Sequence, residues 1–417
     1  MRSRETRHLG GGGKGSAMSG GRGQGPLAGV KILDLTSVLM GPYATQIFAD
    51  LGADVIKIEG PAGDTTRHLP PGPEPGRGAM FVNLNRGKRC LALDLKQRAA
   101  RDVVLRMARQ ADVFVHSMRA AAIKRLGLDY AALRAENPRL IYANLYGFGA
   151  KGRYADYPAY DDIVQAASGL ADLQANLNGG TPAYLATVVA DKVAGLTGAY
   201  AIIAALYSRQ NDGAGQEIEV PMFETLVSFM YAEHLGGSLY DPPLGPPAYP
   251  RVVAKERHPY RTRDGYLALM IYTDRHWRSF FDAIGNPDWS SDPMFVSIGE
   301  RTRNIGAVLG RLSDILKDRT SAEWMELFRR IEVPAMPVMS PTDLLTDPHL
   351  EEAGFWDERD TDDGRLRFPG IPTGFSGTPG AIGDPAPALG ADNDAVLAAY
   401  GFAEDEIAAL RDAKALV

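Results

Sequence analysis

The chain has 417 residues, 45% hydrophobic and 23% charged, with a formal net charge of -6 and a single cysteine, Cys90. That length predicts two or three domains, and that composition an ordinary globular protein. The negative balance argues against nucleic acid or an anionic membrane as the main partner, and one cysteine excludes a disulfide framework or a cysteine-based metal site.

At the start, Arg2, Arg4, Arg7, Lys14 and Arg22 stand against Glu5 alone among glycines and serines, so residues 1–25 are expected to be a disordered tail. Gly10-Gly11-Gly12-Gly13-Lys14-Gly15-Ser16 falls short of a phosphate loop: Gly15 separates lysine from serine, and no strand precedes it. With no signal peptide in view and no apolar stretch long enough for a bilayer, cytoplasmic residence is expected.

Val30 to Leu35 then reads as a strand, with Pro42 at the first position of a helix whose Ala44, Ile47, Phe48 and Leu51 share one face before Gly52 ends it. Val55 to Ile58 is a second strand. The turn between strand and helix, Thr36-Ser37-Val38-Leu39-Met40-Gly41, is bulky where a dinucleotide site needs glycines, so neither nicotinamide nor flavin is expected. Glu59 then reads as a solvated strand end rather than a ribose ligand.

The alternation continues. Arg89 to Asp94, Val113 to Val115 and Leu140 to Ala143 are strand-like, while Ala100, Val103, Val104 and Met107 mark a helix, a pattern that implies a doubly wound, mostly parallel α/β sheet. Cys90 lies in the first of these strands, where an inert buried thiol is expected. Gly147 to Tyr160 reads as an exposed loop after a strand's carboxyl end, the place where such sheets hold ligands. Helical patterns follow at Asp162 to Leu173 and Lys192 to Tyr207, then a strand at Ile218 to Val220. Residues 26–230 thus form the first part of a large α/β domain. Residues 231–340 read as a proline-rich linker and a smaller α+β domain, and residues 341–417 as a return segment packing on the large domain. Asp360-Thr361-Asp362-Asp363-Gly364 lacks calcium-loop spacing, no paired-histidine helix motif occurs, and no metal site is expected.

Taken together, Pro26 to Leu35, Gly41-Pro42, Leu51 to Glu59, Asn85 to Arg89, Leu93 to Lys96, Arg125 to Leu128, Asn137 to Tyr142, Tyr160-Asp161, Gln165-Ala166, Ser168-Gly169, Ala190-Asp191, Gly215-Gln216 and Asp347-Pro348-His349 resemble the class III coenzyme A transferases. That family, of CaiB/BaiF type, includes formyl-CoA transferase, carnitine CoA-transferase and 2-methylacyl-CoA racemase. The resemblance implies two interlocked chains, coenzyme A and acyl-CoA with small carboxylic acids as substrates, and a nucleophilic aspartate. That aspartate falls on Asp191, which by pattern alone reads as a helix N-cap. Coenzyme A contacts carry over to Val38, Met40, Leu93, Lys96, Met118, Arg125 and Tyr160. Arg153 and Asp161 are substrate candidates, Arg153 as a partner for a substrate carboxylate, and Arg67, Arg251 and Arg257 would also suit a dicarboxylate.

The chain departs from the family at Arg251 to Tyr260, where formyl-CoA transferase has a glycine-rich loop, so formyl or oxalyl transfer is not expected. It departs again at Arg119-Ala120-Ala121 and Gly152-Arg153, where a proline is common. Two other functions are weighed. Racemisation needs a base tuned near neutrality, yet Tyr160 stands where racemases carry histidine; His234, His258 and His276 are the alternatives. A non-catalytic CoA-binding protein of the same fold is the other, against which the retained Asp191 speaks.

Overall fold

The computed structural model describes residues 24–361 and 364–417. Of the segment expected to be a tail, all but Gln24 and Gly25 lies outside the described residues. The chain runs β1 (Lys31–Leu35), α1 (Met40–Asp50), β2 (Asp54–Glu59), α2 (Ala79–Leu84), β3 (Arg89–Ala92), α3 (Arg98–Ala108) and β4 (Val113–His116). It continues through α4 (Ala120–Arg125), α5 (Tyr130–Glu136), β5 (Ile141–Tyr146), α6 (Asp161–Ala167), α7 (Leu170–Ala175), α8 (Val189–Asp212), β6 (Glu217–Pro221) and α9 (Met222–His234).

Six strands pair in the order β3-β2-β1-β4-β5-β6, every neighbour parallel. Side chains alternate across the sheet: Leu33, Phe114 and Tyr142 pack on α3 and α5, while Ile32, Val113 and Ile141 pack on α1, α8 and α9. Both faces are therefore covered, as a parallel sheet requires. The order turns back between β1 and β4, and a sheet of this kind opens its crevice at the carboxyl ends of those two strands.

A second unit comprises α10 (Pro250–Val253), β7 (Tyr260–Arg261), β8 (Tyr266–Leu269), α11 (Asp274–Ala283), α12 (Ile298–Arg303), α13 (Ile305–Ile315), α14 (Ser321–Arg330) and β9 (Ala335–Pro337). Its three antiparallel strands and its helices enclose a core of Trp277, Phe280, Trp324 and Phe328. Helix α14 opens with a capping box between Thr320 and Glu323.

The last segment holds α15 (Pro348–Glu352), the hairpin β10 (Trp356–Thr361) and β11 (Gly364–Pro369), α16 (Asn393–Ala399) and α17 (Glu404–Asp412). Val396, Leu397, Ile407 and Leu416 complete the core over α3. Asn393 and Asp392 accept from the Ala92 and Cys90 N–H groups at 2.9 and 2.8 Å, so the open edge of β3 is satisfied by the distant carboxyl terminus. Burial, together with the Glu59 charge, pushes the Cys90 thiol up to about 12.

Several local expectations need correction. Helix α1 begins at Met40, so Pro42 is its third residue. Glu59 is buried, not solvated: Arg67 holds it through Nε and Nη2 at 2.9 and 2.6 Å. The pattern at 162–173 is two helices, because Gly169 takes φ 87° between them. Helix α9 went unread, since its apolar residues lie on more than one face. Helix α8, at 24 residues, does meet the length and hydropathy of a membrane span. It packs against α1, α9 and β5, and Asp191, Lys192 and Arg209 lie along it, Arg209 pairing with Asp112 at 2.8 Å.

Candidate active site

The turn after β1 is built under strain. Val38 takes φ 68°, a left-handed conformation that costs a β-branched residue about 1–3 kcal/mol. Buried polar groups hold it there. The Val38 N–H donates to the Asp64 carboxylate at 3.2 and 3.3 Å, and Lys57 Nζ donates both to Asp64 and to the Thr36 carbonyl at 3.0 Å. Asp34 accepts from the Thr36 N–H and hydroxyl at 3.0 and 2.5 Å, and Lys88 pairs with Asp34 at 3.2 Å. Burial works to raise the Asp34 carboxyl, but Lys88 and Lys57 outweigh it and hold the group below its usual range. Burial pushes Lys88 down to about 8 despite Asp34 beside it. Gly41 closes the turn because a Cβ there would lie 2.3 Å from the Thr36 Cβ.

The turn delivers one group to α8. Met40 is the first residue of α1, so its N–H has no partner within the helix, and it lies toward the Asp191 carboxylate, whose pKa it draws down. Gly195, one turn further along α8, makes the approach possible: a Cβ there would lie 2.7 Å from the Met40 carbonyl oxygen. Asp191 is not an N-cap but the third residue of α8, whose own N-cap, Val188, has no side-chain hydrogen bond. The cap comes from α6, where Asp161 Oδ1 accepts from the Ala190 and Asp191 N–H groups at 2.7 and 3.1 Å. Burial and then the Asp161 charge push the Asp191 carboxyl up to about 6, against the pull of the Met40 N–H.

Asp191 faces a cleft of about 290 Å³ at the carboxyl ends of β1, β4 and β5. Val38, Met40 and Tyr160 line it too, three of the expected coenzyme A contacts brought together with Asp191. A family model described as CoA-transferase family III matches residues 27–393. The chain belongs to this family.

Among curated CoA-transferases it is similar to acetyl-CoA:oxalate CoA-transferase of Acetobacter aceti, 33% identical over 85% of this chain and 90% of that protein. Succinate–glutarate CoA-transferase of Agrobacterium fabrum is 32% identical over 89% and 95%. The solved structure of Rv3272 from Mycobacterium tuberculosis, 29% identical, superposes with a TM-score of 0.78 over 89% of this chain and 99% of that one. A CaiB/BaiF family protein from Brucella suis, 28% identical, gives 0.76 over 90% and 100%.

The other expected contacts lie apart from the cleft of this transferase. Leu93 is fully buried in the core, Lys96 and Arg125 are exposed, and Met118 packs against the core with its N–H donating to His116 Nδ1 at 3.1 Å. Arg153 is exposed and does not line the cleft. Asp161 is buried and committed to the α8 amides and to Gln165, which leaves it no free oxygen for a substrate; its effect is on Asp191 instead. Arg67 is likewise spent on Glu59, and so is no ligand for a dicarboxylate.

Ser37, Ser117, Arg119, Tyr146 and Met222 line the cleft without having been singled out. The strand-end rule was the available signal, since each lies at or just beyond the carboxyl end of β1, β4, β5 or β6. No histidine lines the cleft among the described residues. His116, buried behind it on Asn144 at 2.9 Å, is pushed down to about 4 by burial, so it is neutral at pH 7 and its ring nitrogens are engaged.

Proposed function

We propose that the protein moves coenzyme A from an acyl-CoA donor to a small carboxylic acid, with Asp191 forming the covalent intermediates. The observation that carries this reading is the place of Asp191, half-buried in the cleft with Val38, Met40 and Tyr160, where burial and the Asp161 charge push its carboxyl up to about 6. Such a group is about nine-tenths ionised at pH 7, so it needs no base to activate it. Partial desolvation sharpens it as a nucleophile.

Asp191 attacks the thioester carbonyl, the carbon–sulfur bond breaks, and the coenzyme leaves as thiolate from a mixed anhydride. The thiolate then attacks the Asp191 carbonyl carbon, the donor acid departs as carboxylate, and an aspartyl-CoA thioester remains. An acceptor carboxylate runs the same two steps in reverse. One thioester replaces another, so no nucleotide hydrolysis is required. Against the Asp191 carboxylate at about 6, thiolate is the poorer leaving group by about 2.5 pKa units, on the order of 3 kcal/mol, so the oxyanion and the departing sulfur both need donors nearby. The Met40 N–H at the positive end of α1 suits the first role, and Arg119 suits a phosphate or carboxylate at the cleft mouth.

The 70%-exposed ring of Tyr160 fits beside the pantetheine, with Leu93 backbone, Lys96, Met118 and Arg125 further out toward the adenine and phosphates. The relatives' names point to small acids: oxalate, mesaconate, succinate and glutarate. The dimer expected from the resemblance is supported by the outer face of α8, where Leu196, Tyr200, Ile203 and Tyr207 stand exposed at i, i+4, i+7 and i+11 beside Phe229 of α9. Sedimentation at micromolar concentration should give the mass of two chains.

The decisive experiment incubates the protein with a panel of acyl-CoA donors, then hydroxylamine, and locates the modified residue by mass spectrometry. A hydroxamate at Asp191 is expected, with exchange lost by at least a thousandfold in Asp191→Ala. Undiminished exchange in that variant ends the proposal.

A further inference from the structure

The strained Val38 turn and the ion pair beneath it have a function that neither the cleft nor its lining reveals. Lys57 on β2 and Asp64 in the following loop are 1% and 4% exposed and do not line the cleft. Stability is a weak reason for a pair so deep, because desolvation offsets most of the attraction and apolar residues of similar size serve as well. Their hydrogen bonds point to a different role. Asp64 is anchored from behind, its N–H donating to Glu59 Oε1 at 2.7 Å and its carboxylate accepting from Thr66 and Lys57. Forward, it faces the turn: Asp64 takes the Val38 N–H, and Lys57 takes the Thr36 carbonyl. The two ends of one short segment are thus pinned to one rigid pair, and the residue between them, Ser37, lines the cleft.

We propose that the Lys57–Asp64 pair is a positioning device for the nucleophile: it holds Val38 left-handed and so aims the Met40 N–H at the Asp191 carboxylate. This rests on Asp191 being the nucleophile. Without the Asp64 oxygens, Val38 has every steric reason to return to negative φ, which swings the following peptide units and draws the Met40 N–H off its acceptor.

The sign of one measurement separates positioning from a direct effect of charge. The groups around Asp191 are Asp161 from α6, the Met40 N–H from α1, Arg119, Tyr146 and Tyr160 in the same cleft and, next to it on α8, Lys192, whose ammonium is turned to the Thr187 hydroxyl at 2.7 Å. Removing the Asp64 negative charge, with Lys57 still facing Asp34 and Glu59, by itself favours the ionised Asp191 and lowers its pKa. Drawing the Met40 N–H away from the carboxylate raises it.

The test measures the acidic limb of kcat/KM, kcat and KM separately, and Tm, in Asp64→Asn, Val38→Gly and the double variant. Both Asp64 oxygens accept from donors, so asparagine must turn its NH2 against Lys57 or Thr66 as well as the Val38 N–H; in Asp64→Asn the limb should move up by about half to one pH unit, and kcat should fall on the order of tenfold with KM for acyl-CoA less affected. Glycine takes φ 68° without strain and needs no clamp, so the double variant should recover a large part of that loss. A limb that stays put or moves down, or a double variant no better than Asp64→Asn, overturns the proposal, as does a fall in Tm with unchanged kcat. Should Asp64→Asn not fold, Asp64→Glu keeps the charge and displaces the oxygens, with the same expectations. Asp191→Ala run alongside separates the two ideas: exchange retained there refutes the nucleophile, whereas exchange lost there with an unmoved Asp64→Asn limb refutes only the clamp.

Discussion

Replacing Asp191 with its neutral isostere, Asp191→Asn, should make the protein more stable at pH 7. Burial and the Asp161 charge push the Asp191 carboxyl up to about 6, against 3.8 for the free side chain, a rise of about two pH units. Between those values the folded state binds more protons than the unfolded one, so stability falls as pH rises through the window and the full penalty is in place above pH 6. At 1.36 kcal/mol per unit the penalty is about 3 kcal/mol at pH 7 and about half that at pH 5, and it vanishes below pH 4. Asparagine keeps an oxygen for the Met40 N–H and carries no charge to desolvate, so the variant recovers most of this difference. The assay is thermal unfolding of both proteins across pH 5 to 7, and it requires no knowledge of the substrate. A gain in Tm that grows with pH is expected. A Tm difference independent of pH, or a less stable variant at pH 7, would show that Asp191 is not held against its charge.

Asp161→Asn keeps the cap on α8 and removes the second cause of the raised Asp191 pKa, so the acidic limb of kcat/KM should move down from about 6 by as much as one unit, giving about threefold more activity at pH 5.5; an upward move refutes the assignment. Gly195→Ala should cut kcat on the order of a hundredfold while Tm changes by only a few degrees, since its methyl parts α8 from α1 at the Met40 carbonyl; unchanged kinetics would show that the contact does not govern chemistry. In acid, stability should be lost as pH falls below about 4. Burial raises Asp34, Glu59 and Asp64, but their cationic partners hold all three below their unfolded values. Charge-neutral variants at Asp34 should flatten that loss, and an unchanged acid midpoint would contradict it.

How much was legible follows the range of the forces. The strands Val30 to Leu35, Val55 to Ile58 and Val113 to Val115 were readable because a short, nearly unbroken apolar run is a local record of burial on both faces of a parallel sheet. The α3 stripe was readable for the same reason, with Val103, Val104 and Met107 all facing the core. The family motifs put Asp191 forward, and the structure sets it in the cleft. Polar partnerships were not legible, because one residue looks the same solvated or paired. Glu59 read as a strand end and proved to be half of an ion pair with Arg67. Asp161 read as a substrate group and proved to be the cap of another helix.

The order of apolar and turn residues along the chain was enough to determine the alternating layers, the parallel sheet and the location of a ligand site at the strands' carboxyl ends. Only the tertiary structure decided which charges face each other. The ionisation of Asp191 depends on a carboxylate 30 positions upstream and an amide from α1, and the turn that presents this amide depends on a lysine of β2. Apolar burial is non-directional and written into composition, whereas a hydrogen bond needs two particular atoms within about 3 Å, and only the folded chain brings them there.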